Sequence, residues 1–391
     1  MPWKQSSRQE QRFDLVRQMM AGVTAVSTLC RRFGVARQSA YKWLRRYRRG
    51  RLRALSDRSR RPRCVAGKTQ ARWLRRVRAW RERHPTWGGR KLRHCLGERF
   101  GAAGLPAVAT IGRWLRRWGL SRGRPRRRAG PTIALLAAPP PCRCHELWSV
   151  DFKGWYRTGN GQRVDALTVR DLYSRHGLCI ALLSSQAIAP VRRQFRKLFA
   201  VHGLPQRIRC DNGTPFGGGG PTGLTRLSAW WTKLGIRVEF ITPGRPGENG
   251  AHEQFHGVYQ KEVAARPQHT RRAQQSRTNL WLEHYNQRRP HEALGMKRPA
   301  QLYRRNRRRL PARLPPWTYP RGWRRCWVKG NGEICHCGVR RYVGEAFVGD
   351  YVGLKPMRAG VWWVHFGPVL IGELRDEERG SLRMARYRRA R

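Results

Sequence analysis

Acidic residues are scarce in this chain of 391 residues: 23 Asp and Glu stand against 83 Lys and Arg, which gives a formal net charge of +60 at pH 7. Long apolar runs are also missing. The longest near-candidate, residues 132–141, falls well short of the ~20 residues that a membrane helix needs. The N-terminus lacks the apolar stretch of a secretory signal, so we expect no membrane partner and a cytoplasmic protein.

The excess of positive charge indicates a polyanionic partner, most commonly nucleic acid. A GC-rich genome would explain why most of the basic residues are Arg, but not their total number or the lack of acids. The ten Cys residues include no C-x-x-C pair. Cys335 and Cys337 flank His336 at the spacing of one strand face, which favours ordinary packing over a zinc site.

Three helices are predicted within residues 9–47, and we assign residues 1–60 to a helix-turn-helix DNA-binding domain. Thr24 is placed to cap the second helix, and Gly34 supplies a tight turn before the third. Any small helical hairpin shows this pattern, but the local charge favours DNA. A recognition helix enters the major groove by its first turns. The residues that we expect to face DNA there are Arg37, Gln38, Ser39, Tyr41 and Lys42.

A second helical unit is predicted over residues 65–120, as another helix-turn-helix or a winged-helix DNA-binding domain. In its last helix, residues 107–118, we expect Val108, Ile111 and Leu115 to face inward. The residues expected to face DNA are Thr110, Arg113 and Arg117. Residues 121–146 are rich in Arg and Pro, which predicts an extended basic linker that touches phosphates.

From residue 147 the pattern predicts an α/β domain. Three closely spaced β-like runs precede alternating helices and strands, so we expect a sheet with an antiparallel start over residues 147–305. Short strands with glycine turns then predict a small all-β, barrel-like module over residues 320–378.

Three of the scarce acids stand at informative places. Asp151 lies inside the first predicted strand, where an ionised carboxylate is costly unless it is paired or binds a metal. Asp211 ends another strand, and Glu253 lies near the start of a helix. Taken singly, Asp211 is better explained as a turn residue and Glu253 as a solvated helix face. Together they favour an oxygen-ligand site for Mg²⁺ or Mn²⁺, of the kind that supports in-line phosphoryl displacement.

Four segments resemble the DDE recombinases, the superfamily of retroviral-type integrases and bacterial insertion-sequence transposases. They are Trp148-Ser-Val-Asp151, Asp211-Asn-Gly213, Pro246-Gly-Glu-Asn-Gly-Ala-His-Glu253-Gln-Phe-His256 and Tyr285-Asn-Gln-Arg-Arg-Pro-His-Glu-Ala-Leu-Gly295. The His-His-Cys-Cys module of retroviral integrases is missing from the N-terminus, which favours the bacterial branch.

The resemblance implies a ribonuclease H-like core in which Asp151, Asp211 and Glu253 are the catalytic acids and hold two Mg²⁺ or Mn²⁺ ions. The last two acids are 42 positions apart, more than is usual in the superfamily, and a glycine-rich loop at residues 216–221 can absorb the extra length. Four further candidates surround the acids. Lys153 would contact DNA, Asn249 would hold the local turn, and His252 and His256 would either position phosphate or water or simply pack.

The resemblance also implies an activity: a DDE-type polynucleotidyl transferase that binds the terminal repeats of a mobile DNA element and catalyses cleavage and strand transfer. Its partners would be double-stranded DNA, at the element ends and the target, and further copies of the chain, at the bacterial nucleoid. Two alternatives stay open. The first is a non-catalytic, transposase-derived DNA-binding regulator, which three converging acids argue against. The second is a Mg²⁺-dependent nuclease of ribonuclease H type, which two duplex-binding units argue against.

Overall fold

The computed structural model describes residues 7–57, 71–121, 140–218, 223–242, 250–378 and 380–383. The chain divides into two compact units, residues 1–68 and residues 69–391. None of the helices in these described ranges is long and apolar enough to cross a membrane. Asn249 and most of the predicted linker, residues 122–139, lie outside the described residues.

The first unit is a bundle of three helices, as predicted: α1 (Arg8–Ala21), α2 (Val26–Arg32) and α3 (Arg37–Gly50). Gly34 makes the turn before α3 at a φ of 62°, a conformation that favours glycine. The predicted cap of α2 is wrong. Ala25, not Thr24, precedes the helix, and its side chain makes no capping hydrogen bond. The carbonyl of Ala25 already accepts the N–H groups of Thr28 and Leu29, so the helix begins one residue later than predicted.

The second unit begins with three more helices: α4 (Ala71–Arg83), α5 (Gly89–Phe100) and α6 (Val108–Arg117). Ile111 and Leu115 are buried in a core that includes Trp73 and Leu92. The prediction for Val108 is wrong, because this side chain is 38% exposed. Val108 is the first residue of α6 and lies against Gly89 of α5, which has no side chain to cover it.

A five-stranded sheet forms the centre of the second unit. Its strands lie in the order β3-β2-β1-β4-β5. The first three strands of the chain pair antiparallel, and β4 and β5 run parallel to β1. This is the ribonuclease H-like arrangement that the resemblance implied. The strands are β1 (Leu147–Arg157), β2 (Arg163–Asp171), β3 (Gly177–Leu183), β4 (Arg207–Cys210) and β5 (Arg237–Phe240).

Helices cover both faces of this sheet. They are α7 (Ile188–His202), α8 (Arg226–Lys233), α9 (Gly250–Tyr259), α10 (Arg271–Arg288) and the short α11 (Pro299–Leu302). Side chains of β2 alternate between the two layers, as the strand period requires. Leu167 and Val169 pack with α7 and α8, whereas Val164 and Ala166 pack with α9 and α10. One turn of π-helix, Gln260–Ala264, continues α9.

The C-terminal region is all β, as predicted. A four-stranded antiparallel sheet has the order β11-β10-β9-β6, and β7 and β8 form a separate hairpin. Both pack around one apolar core that includes Ile334, Val352 and Val364. The strands are β6 (Arg324–Trp327), β7 (Glu333–His336), β8 (Val339–Tyr342), β9 (Tyr351–Arg358), β10 (Val361–Phe366) and β11 (Val369–Arg375).

A polar network joins the α4–α6 region to the sheet domain within the second unit. The carboxylate of Glu262 accepts hydrogen bonds from the Thr86 hydroxyl, from Trp281 Nε1 at 2.7 Å and from the Arg289 guanidinium at 3.2 Å. Arg289 also donates to the Thr86 hydroxyl at 3.0 Å. Thr86 lies between α4 and α5, so the network holds this helical region against α9 and α10.

Candidate active site

Strand register brings the first two acids together. β1 and β4 are parallel neighbours, with Ser149 paired to Arg209. The same offset carried two residues further sets Asp151 opposite Asp211, which comes directly after β4. Adjacent strands lie ~4.8 Å apart, so the register sets the two acids at neighbouring positions on two central strands of the sheet.

The third acid approaches from the helix layer. Glu253 is exposed in the first turn of α9. Burial, together with the negative charges of Asp211 and Glu253, raises the pKa of Asp151 to about 7. Burial also raises the pKa of Asp211, although the N–H of Gly213 donates to that carboxylate and opposes the shift. Asp151 therefore lies within electrostatic reach of the other two acids, and a cation is the natural counter-charge.

Arg170 ties α9 to the sheet. This side chain on β2 is 2% exposed and donates to the carbonyl oxygen of Ala251, in the first turn of α9, at 2.6 Å. Its guanidinium also lies 4.5 Å from the ring centre of Phe255. Arg170 thus fixes the helix that carries Glu253. Sequence reasoning missed Arg170, although a basic residue inside an apolar strand was a visible signal.

Both histidines of α9 point into the molecule. His252 is fully buried, with Nδ1 2.6 Å from the Ser149 hydroxyl and Nε2 2.5 Å from the Thr168 hydroxyl. His256 places Nε2 2.7 Å from the same Thr168 hydroxyl and Nδ1 3.9 Å from Asp151 Oδ2. Burial lowers the pKa of His256 to about 3 and that of His252 well below its ordinary value, so both rings are neutral.

The position of the two rings excludes a helix-surface role, because they link α9 to Ser149 on β1 and to Thr168 on β2. Sequence reasoning singled out His252 and His256 but missed their partners Ser149 and Thr168. Nothing in the local sequence marks these two hydroxyls. Their role arises only because Thr168 pairs with Asp151 across β1 and β2.

The donor groups fit a divalent cation. Asp151, His252 and His256 each have a potential ligand atom within 4.8 Å of the others, although both His252 nitrogens already contact hydroxyl groups. Carboxylate oxygens suit Mg²⁺ and Mn²⁺, and an added imidazole suits Mn²⁺ and later transition metals. Lys153 is half-buried and close enough to His256 for its charge to lower the pKa of that ring. It therefore lies near His256, on the same strand as Asp151.

A second group of ligand atoms lies in the C-terminal region. His336, Cys337 and Asp376 stand within 4.8 Å of one another, with His336 Nε2 3.2 Å from Asp376 Oδ1. The sequence analysis singled out the first two residues as packing but did not find Asp376, which follows β11.

The candidate DNA-facing residues fall on helix surfaces. On α3, Arg37, Gln38, Tyr41 and Lys42 are exposed, whereas Ser39 is half-buried. On α6, Arg113 and Arg117 are exposed one turn apart. Arg113 donates to the half-buried Thr110 hydroxyl at 3.3 Å. Each helix therefore presents a basic face of one to two turns.

Comparison with protein families identifies the parts of the chain. Residues 143–246 and residues 234–299 each match the integrase core domain. Residues 11–63 match a helix-turn-helix domain, and residues 39–115 match a homeodomain-like domain. The chain thus combines an integrase core with helix-turn-helix domains.

The curated relatives are proteins of bacterial insertion elements. A 39.2 kDa protein of insertion element IS476 from Xanthomonas euvesicatoria is 32% identical over 182 residues, which cover 46% of this chain and 50% of the relative. A 31.7 kDa protein of insertion element IS407 from Burkholderia multivorans is 29% identical over 222 residues, 56% of this chain and 76% of the relative. The match thus spans half the length of the first relative. These similarities confirm the predicted insertion-sequence branch with a retroviral-type core.

Solved structures with some similarity are viral integrases. The catalytic core domain of HTLV-2 integrase in complex with magnesium has 15% identity and a TM-score of 0.32, and the match covers 42% of this chain and 99% of that domain. The intasome of simian T-cell lymphotropic virus in complex with a PP2A regulatory subunit has 14% identity and a TM-score of 0.37, and the match covers 73% and 91%.

Proposed function

We propose that this protein is the transposase of a bacterial insertion element. It binds the ends of the element through its helix-turn-helix domains, and Asp151, Asp211 and Glu253 form the site that cleaves DNA and joins the freed strand to a target. The observation that supports this most strongly is the burial of Asp151 beside the charges of two further acids in an integrase core.

The three acids would hold divalent cations. Two Mg²⁺ ions held there would supply Lewis-acid activation of an attacking oxygen and charge stabilisation of a leaving oxygen. The carboxylate ligand of Asp151 would come from the centre of β1, and that of Asp211 from the turn after β4. Gly213 keeps that turn close, because a Cβ at this position would stand 3.0 Å from Asp211 Oδ2.

The chain's other residues organise the DNA around these acids. Arg170 holds the first turn of α9, which carries Glu253, against the sheet. The exposed faces of α3 and α6 would read the terminal repeats, and the +60 charge would bind phosphates without sequence preference. Integration needs two DNA ends in one complex, so the working form is an assembly of several copies on DNA.

A strand-transfer reaction with pre-nicked element ends tests the proposal and separates it from its rivals. Joined product with Mg²⁺ or Mn²⁺ supports the transposase. Hydrolysis without joining would indicate a nuclease, and a gel shift without either reaction would indicate a DNA-binding regulator.

Asp151→Asn tests the acid site itself. The variant should lose all joining, while its affinity for element ends stays equal or rises, because a negative charge near the phosphates is removed. A variant that still joins strands would exclude Asp151 from the reaction.

A further inference from the structure

The Thr168 hydroxyl is in contact with three polar atoms. It lies 2.5 Å from His252 Nε2, 2.7 Å from His256 Nε2 and 2.9 Å from the backbone oxygen of Asp151. A threonine hydroxyl carries one hydrogen, and a carbonyl oxygen can only accept. All three contacts are hydrogen bonds only if Thr168 donates to Asp151 and both imidazoles donate their Nε2–H to Thr168. Any other assignment leaves two acceptors touching without a hydrogen between them.

This assignment fixes the tautomer of both neutral rings, with the lone pair on Nδ1. In His252 that lone pair accepts the Ser149 hydroxyl at 2.6 Å, so both nitrogens of this ring are used within the protein. In His256 the lone pair faces Asp151 Oδ2 at 3.9 Å. Two acceptors at this separation cannot form a hydrogen bond with each other.

A shared cation would use both atoms. Ligands about 2.0–2.2 Å from one ion lie roughly 2.8–3.6 Å apart at tetrahedral or cis-octahedral angles, so a shared ion would draw these two atoms a few tenths of an ångström closer than the observed 3.9 Å. An imidazole whose opposite nitrogen donates to a fixed acceptor is the arrangement found in metal-binding histidines. His256 meets this condition through Thr168, and His252 does not have a lone pair to spare.

We propose that His256 Nδ1 is a ligand of the cation bound by Asp151, and that Thr168 and His252 hold its ring in the ligating tautomer. The inference rests on the proposed active site and extends it from oxygen ligands to a mixed oxygen and nitrogen set. A nitrogen ligand shifts the preference of the site from Mg²⁺ toward Mn²⁺.

Pulsed electron paramagnetic resonance of Mn²⁺ bound to the full-length chain, without DNA, tests this directly. The wild-type protein should show modulation from a coupled ¹⁴N nucleus. His256→Asn should bind Mn²⁺ but lose that modulation, whereas His94→Asn, on α5, should keep it. Persistence of the nitrogen signal in His256→Asn, or its absence in wild-type protein with Mn²⁺ bound, would overturn the assignment.

Titration calorimetry gives a second readout. His256→Asn should weaken Mn²⁺ binding on the order of tenfold and change Mg²⁺ binding much less. Thr168→Val keeps the shape but removes the acceptor that fixes the tautomer, so Mn²⁺ binding should weaken although His256 is intact. Thr168→Ser should restore it. Equal loss of both metals in His256→Asn would refute nitrogen ligation.

Asp151→Asn separates this proposal from the one on which it rests. If that variant still binds Mn²⁺ as tightly as wild type, the proposed active site is wrong. If it loses binding while His256→Asn keeps the nitrogen signal, the acid site stands and only the role of His256 fails.

Discussion

Glu262→Gln should weaken the attachment of the α4–α6 region to the integrase core. Three donors converge on this carboxylate, from Thr86, Trp281 and Arg289, and the Glu262 and Arg289 side chains are only 16% and 6% exposed. The glutamine amide has one acceptor oxygen and turns an NH₂ group toward the remaining donors. It also leaves the Arg289 charge buried without its partner. Breaking a buried pair in this way costs about 3–5 kcal/mol of unfolding free energy.

The matched control is Glu292→Gln. Glu292 pairs with Arg90 at 3.0 Å and also joins the α4–α6 region to the core, but the Glu292 and Arg90 side chains are 45% and 68% exposed. An exposed pair contributes about 0–1 kcal/mol. Urea denaturation followed by tryptophan fluorescence measures both variants. Equal losses in the two variants, or a loss below about 1 kcal/mol in Glu262→Gln, would refute the claim that burial makes the Glu262 network dominant.

Two further predictions concern pH and DNA. The folded protein should lose stability as the pH falls below 6.5. Burial lowers the pKa of His176 to about 3, whereas in the unfolded chain this ring has the ordinary pKa of about 6.5. Below pH 6.5 the unfolded chain therefore gains a proton that the folded chain does not, which removes about 2 kcal/mol of unfolding free energy by pH 5. His176→Gln should flatten the pH dependence of urea midpoints by that share; an unchanged slope would contradict it. Arg37→Ala should weaken binding to element ends and reduce the slope of log binding constant against log salt concentration by about one. Arg49→Ala, at the far end of α3, should affect binding less, and equal effects would exclude the start of α3 as the reading face.

Helix and strand positions were predictable because each segment carries its own hydrophobic period. The three helices predicted within residues 9–47 are observed at Arg8–Ala21, Val26–Arg32 and Arg37–Gly50, since apolar spacing and flanking turn residues mark them within a few positions. Cap residues were less predictable. Thr24 is a good capping residue by type, yet the chain uses the carbonyl of Ala25 instead, because a cap depends on backbone geometry that composition does not fix.

The acids of the candidate site could be found from the sequence, but the groups that support them could not. Asp151 stands out because a carboxylate inside an apolar strand needs an explanation. Ser149 and Thr168 are ordinary strand residues until β1 and β2 pair and α9 packs against them. His252 is 103 positions from Ser149 and 84 from Thr168. No local pattern encodes contacts over such distances, so only the folded chain reveals them.

These supporting contacts explain how the fold tolerates Asp151 at its position. Thr168 donates to the backbone of Asp151 and so fixes the strand, while the neutral His256 adds no charge of either sign beside the carboxylate. Burial and two neighbouring acids then favour the protonated acid near pH 7 until a cation replaces the proton. In the proposed site, a bound cation would therefore offset the cost of burying the ionised Asp151 beside two other acids. A permanent Lys or Arg partner in this space would pair with the carboxylate but would leave no place for a metal.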